Sequence, residues 1–151
     1  MGELTRRSFV AAALTAAFSC RSATAQNAPV AASRIAIKGY DPVSYFTDGK
    51  PEKGSSEFTF AFDDTTYWFK NAEHRALFAA DPERYAPQFD GYCAIQVSRG
   101  HKIEADPEAW TITNGKLFVF SAKPGVPIFQ EQPVAIAEKA NENWPKLRAA
   151  Q

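Results

Sequence analysis

The chain has 151 residues, with 17 basic and 17 acidic side chains. It carries no basic run or patch, which excludes the electrostatic footprint of a nucleic-acid or anionic-lipid binder. The length fits one domain able to bury a core without disulfide staples. The core material is aromatic, with twelve Phe, five Tyr and three Trp.

The N-terminus opens with Thr5-Arg6-Arg7-Ser8, then an apolar run from Phe9 to Phe18. That run is too short to span a bilayer as a helix. Ala23-Thr24-Ala25 follows as a small-x-small cleavage pattern. Together they predict a twin-arginine-type signal peptide over residues 1–25, export to the periplasm, and no membrane span in the mature chain. A membrane-anchoring helix and lipidation of Cys20 are the alternatives. The bulky Phe18 just before Ser19-Cys20 fits lipidation poorly. Cleavage removes Arg6, Arg7, Arg21 and Glu3, so the mature chain has a slight acidic excess. It also removes Cys20 and leaves Cys93 with no disulfide partner. A lone cysteine in an oxidising compartment is an inert buried thiol, an intermolecular partner, a metal ligand or a reactive group.

Residues 26–34 read as a flexible leader, and residues 35–147 as a single α+β domain. Asp41-Pro42 suits an N-cap with proline in the first helical position, and the turn it opens should end at Thr47-Asp48-Gly49. Phe58 to Phe62 alternates, Asp63-Asp64 turns, and Tyr67-Trp68-Phe69 continues, which predicts a β-hairpin. Asn71 caps a helix through Ala80 with an apolar stripe of Leu77, Phe78 and Ala80. Asp81-Pro82 stops it and starts another turn. The stretch Asp90 to Gly100 reads as a strand or as a helix. A helix capped by Asp90 and closed by Gly100 matches both end signals. Trp110-Thr111-Ile112-Thr113, Asn114-Gly115 and Lys116 to Phe120 predict a hairpin with a type I′ turn. A final helix lies between Ile128 and Trp144, starting at Pro133 and ended by Pro145. No internal repeat is legible, and no enzyme constellation stands out.

The candidate site residues are Cys93, His74 and His101. Under the helix reading Cys93 falls in a first turn, where free N–H groups favour negative charge. His74 holds the same place after its Asn71 cap, an environment that favours neutral imidazole, the form that ligates metal. The bland alternatives are a buried inert thiol and two surface histidines, with His74 exposed between Glu73 and Arg75. His101 lies roughly 12 Å from Cys93 along a helix at about 1.5 Å per residue. It therefore ranks last.

The motifs "GYDPVSYF" (Gly39–Phe46), "YWFKNAEHRALFAADPERYAPQFDGYCA" (Tyr67–Ala94), "DPEAWTITNGKLFVF" (Asp106–Phe120) and "NWPKL" (Asn143–Leu147) resemble the YHS-domain family, in its exported single-domain branch. The resemblance covers nearly all of Ile37 to Leu147. It implies a small α+β module associated with transition-metal binding. The family's metal-associated form has cysteines at positions that here are Ser44, Lys70 and His74, so one candidate ligand of the three remains. The resulting expectation is a periplasmic accessory protein for a transition-metal ion, copper first, with Cys93 and His74 as ligands. The alternatives are a thiol or redox-interaction protein using Cys93, and a metal-free module for a ligand or partner protein.

Overall fold

A computed structural model describes residues 34–150. The expected signal peptide, Cys20 and the expected leader up to Ser33 lie outside the described residues. The described chain is α+β, as expected. Its elements are β1 (Arg34–Ile35), α1 (Ser44–Thr47), β2 (Ser55–Phe62), β3 (Thr65–Phe69), α2 (Ala72–Ala80), α3 (Pro82–Tyr85), α4 (Ala94–Ser98), β4 (Asp106–Thr113), β5 (Lys116–Phe120), α5 (Gly125–Glu131) and α6 (Pro133–Ala149). Short 3-10 segments, Ala36–Gly39 and Gln88–Gly91, precede α1 and α4. β1, β3 and β2 form one sheet, with β1 parallel to β3 and β2 antiparallel to it. β4 and β5 form the second. Among the described residues no helix is long and apolar enough to cross a membrane.

The expectation of no internal repeat is corrected. The two halves follow one plan, offset by 52 residues at the start and 51 thereafter. Ile37, Lys38 and Gly39 all have positive φ (41°, 52°, 80°), and so do Phe89, Asp90 and Gly91 (57°, 52°, 80°). Tyr40 then bridges Lys53, as Tyr92 bridges Glu104. Asp41 N–H donates to the Glu52 carbonyl, and Cys93 N–H to that of Ile103. The hairpins share their register and its irregularity: Ser55 pairs Phe69 and then Thr59 pairs Trp68, while Asp106 pairs Phe120 and then Trp110 pairs Val119. Asp63-Asp64 and Asn114-Gly115 occupy the same left-handed turn. Pro82 opens α3 as Pro133 opens α6.

Each half centres its core on one helical phenylalanine. Phe78 packs on Tyr67 and Phe69 with ring centroids 4.8 and 5.1 Å away. Phe129 packs on Phe118 and Phe120 at 4.6 and 5.3 Å. Two clusters result, one around Phe78 with Val43, Tyr45 and Tyr85, the other around Phe129 with Phe89, Cys93 and Val97.

Three further expectations change. Asp90 caps no helix: it sits in a left-handed turn, and α4 starts after Cys93, which is itself the N-cap residue. The Gly100 end signal held, since Gly100 follows α4 at φ 87°. On α2 the buried residues are His74 and Phe78, whereas Leu77 is exposed. Pro145 lies inside α6, which continues to Ala149. A proline forfeits one backbone bond but fits a helical φ, and Trp144 and Leu147 on either side of it pack against the second core.

Candidate functional site

The polar centre of the first half is built from the chain turn after Tyr40. Pro42 fixes the backbone, and the Asp41 carboxylate folds back so that Oδ1 accepts from Val43 N–H at 2.8 Å. Asp41 is fully buried. Its Oδ2 accepts from the Lys70 backbone N–H at 2.9 Å and from His74 Nδ1 at 2.7 Å. Three N–H donors, from α1's approach, the end of β3 and α2, thus converge on one carboxylate.

His74 reaches this position because Asn71 caps α2: Asn71 Oδ1 accepts from His74 N–H at 2.8 Å. The cap was legible in the sequence, but the exposure was not. His74 is only 7% exposed, because α2 turns its His74–Phe78 face inward, one helical turn apart. A carboxylate can only accept, so Nδ1 carries the hydrogen and Nε2 keeps its lone pair when the ring is neutral. Nε2 lies 3.4 Å from the hydroxyl of Thr47, an exposed residue at the end of α1.

Beside this pair the Lys70 ammonium donates to Asp48 Oδ2 and, at 3.3 Å, to Glu52 Oε2. The Lys70 ammonium holds the Asp48 carboxyl below its usual range, and Lys50 followed by Lys70 does the same for Glu52. In return the bond to Asp48 raises the Lys70 ammonium. Ser44 is buried; its hydroxyl donates to the Asp41 carbonyl at 2.7 Å and accepts from Glu52 N–H at 3.2 Å.

The three positions that the resemblance singles out, Ser44, Lys70 and His74, therefore meet around one residue, Asp41, which sequence reasoning assigned only to a cap. They do not fit a thiolate metal cage. Ser44 is committed to the backbone, and Lys70 brings a cation of its own. Among the described residues no group of three or more His, Cys, Asp or Glu side chains is placed to hold a metal ion.

Cys93 belongs to the other half. It is 2% exposed, in the cluster of Phe89, Phe118, Phe120 and Phe129, with Tyr92 and Trp144 packed on that cluster. A thiol sealed in this way lacks the access that exchange or ligation requires. Cys93 and His74 are not brought together: they hold their places in separate halves. His101 is exposed beyond the far end of α4, its N–H bonded to the Gln96 carbonyl.

Thr47, His74 and Asp41 stand in the hydroxyl–imidazole–carboxylate order of a proton relay. The surroundings oppose nucleophilic chemistry there. Thr47 Oγ1 donates to the Val43 carbonyl at 3.2 Å. The end of α1 presents carbonyls rather than N–H donors, and Asp48 and Glu52 are already paired with the Lys70 ammonium, so among the described residues no free donor is placed for a developing oxyanion. No protein-family model, curated protein or solved structure matches the chain.

Proposed function

We propose that the protein is an exported binding module of the YHS kind, working in the periplasm as an accessory site for a transition-metal ion. Copper is the first candidate, and His74 Nε2 is the protein ligand. Imidazole suits copper, zinc, iron and nickel, and copper(II) heads the affinity order for nitrogen and oxygen donors. Metal-ligating histidines characteristically donate their other ring N–H to a carboxylate, which fixes the ring and raises its basicity. Asp41 does this for His74. Cys93 and His101 are not part of the site.

One observation carries the reading. The second half builds the same plan with Cys93 in the place of Asp41 and Gly125 in the place of His74. The scaffold therefore does not need a buried carboxylate and imidazole, which are expensive to desolvate. Their presence in the first half alone supports a use there.

The test is competition titration of copper(II) and zinc(II) against a chromophoric chelator. One equivalent should bind the intact chain and the Cys93→Ala variant alike, and His74→Ala should lose it. Equal affinity with and without His74 would sink the reading. A second variant, Asp41→Cys with His74→Gly, takes its residues from the second half and should stay folded while losing the metal. If that variant unfolds, the pair is structural.

A further inference from the structure

We propose that a cleft at the seam between the two halves binds a small zwitterion bearing an ammonium and a carboxylate close together, in chemical class a free α-amino acid. The cleft is open to solvent, has a volume of about 260 Å³ and is lined in part by Phe62, Asp63, Phe89, Asp90, Trp144 and Arg148. It lies where the halves depart from their shared plan. α3 has four residues, but its counterpart α6 has seventeen, and the added turns carry Trp144 and Arg148 to the cleft. At the matching left-handed backbone position the first half has an exposed lysine, Lys38, and the second has Asp90.

The Asp90 carboxylate faces a single cation among the described residues. The Asp90 side chain is 17% exposed and, among the described residues, no hydrogen bond to its carboxylate is formed; the cation paired with it, Arg148 Nε, is 3.8 Å away, beyond hydrogen-bond reach. Burial pushes the Asp90 carboxyl up, against the opposing pull of Arg148. Among the described residues Arg148 has one other carboxylate contact, Asp63 at 3.3 Å, and it is more than one-third exposed. An acceptor without donors thus stands beside a guanidinium with N–H groups to spare. A ligand ammonium would donate to Asp90, and its carboxylate would accept from Arg148 in the paired geometry guanidinium favours. The rings of Phe89 and Trp144, edge-to-face with centroids 5.8 Å apart, form an apolar wall for the ligand's side chain. A few convergent polar groups on aromatic walls is the usual make-up of a small-molecule site.

A second observation points to the same place. The Tyr67 hydroxyl is buried and has no hydrogen-bond partner among the described residues. Of the charges that act on it, Asp90, Asp63 and Arg148 border the cleft, and Arg34 lies outside its lining. The counterpart of Tyr67 in the second half is Phe118, so this orphan hydroxyl too is an addition that the plan does not require.

This inference is independent of the metal reading, because His74 and Asp41 take no part in it. The experiment is calorimetric titration of metal-free full-length protein with a panel of free L-amino acids, their amides and their N-acetyl forms, with tryptophan emission followed in parallel and Trp144→Phe identifying the reporter. At least one free amino acid should bind saturably, and its amide and N-acetyl forms should bind about tenfold more weakly or worse. Asp90→Asn and Arg148→Gln, checked by circular dichroism for an unchanged fold, should weaken binding by about the same factor, whereas His74→Ala should not change it. The inference is overturned if no panel member binds below about 10 mM, or if binding survives in both cleft variants.

Discussion

The first half of the domain places a buried aspartate and histidine between its 3-10 turn and its helix; the second places a cysteine and a glycine there. Around these positions the hairpin register, the left-handed turns and the ring packing on Phe78 and Phe129 are shared. The second half fills the space of the imidazole with hydrocarbon: a Cβ on Gly125 would lie 2.9 Å from Phe120 Cβ and 3.4 Å from Ile95 Cδ1. The same backbone thus tolerates an apolar solution and a polar one. What differs is the penalty for disturbing each, since a carboxylate holding three N–H groups leaves all of them stranded when it is removed.

That contrast can be broken most directly by Asp41→Ala against Cys93→Ala in urea unfolding. Asp41→Ala should cost about 3–5 kcal/mol, the usual consequence of removing one partner from a buried, hydrogen-bonded pair. Cys93→Ala should cost about 1 kcal/mol, the lost transfer term of one small group and its void. Similar losses for the two would mean that Asp41 is no better embedded than Cys93. His74→Gly added to Asp41→Cys should cost less than the two single changes summed, because the pair is one network.

The parts of this arrangement that sequence reveals are those set by local chemistry. The Asn71 cap, the Asp63-Asp64 and Asn114-Gly115 turns and the Gly100 helix end depend on nearby residues and appear where expected. The turn at Phe89-Asp90 does not follow local rules. Non-glycine residues rarely adopt φ near +55°, so Asp90 read as a helix cap. The turn is held by tertiary contacts: the Arg34 guanidinium donates to the Asp90 carbonyl at 2.6 Å, and Gly91 sits so close to Ile37 that a Cβ there would come within 3.1 Å. The repeat was hidden for a related reason. The halves share Gly39/Gly91, Tyr40/Tyr92, Phe69/Phe120, Phe78/Phe129 and Pro82/Pro133, but few other identities, and a one-residue change of offset between them defeats a fixed-period search. In the candidate site, His74 was found by type and position, whereas its partner Asp41 lies 33 residues away and only the fold joins them.

The two cores differ by one buried hydroxyl, and removing it sharpens the comparison. Tyr67 and Phe118 hold equivalent places against Phe78 and Phe129. Burial raises the Tyr67 phenol well above its ordinary value, so the group stays neutral across the working range and still finds no partner. Tyr67→Phe should therefore stabilise the ligand-free protein by about 1 kcal/mol, the desolvation penalty of an unmade hydrogen bond. A loss of similar size in thermal or urea unfolding would show that the hydroxyl has a partner in solution, such as an ordered water.

The smallest expected effect lies at the hairpin tips, where the second half again supplies the substitution. Asp64 is at φ 61° and its counterpart Gly115 at φ 73°. Both belong to two-residue turns whose central positions require positive φ, a conformation glycine adopts without a Cβ penalty. Asp63 is left in place because its carboxylate contacts Arg148 at 3.3 Å. Asp64→Gly should add about 0.5 kcal/mol, since an aspartate tolerates the left-handed region better than most residues and the strain relieved is only part of the usual 1–2 kcal/mol. It also removes a negative charge that raises the Asp90 carboxyl, so any residual upward pressure on Asp90 should ease in the same variant. The midpoint of urea unfolding should rise with an unchanged slope. A fall would mean that the first hairpin relies on the Asp64 side chain for its turn, and that the two tips, alike in backbone, are held by different means.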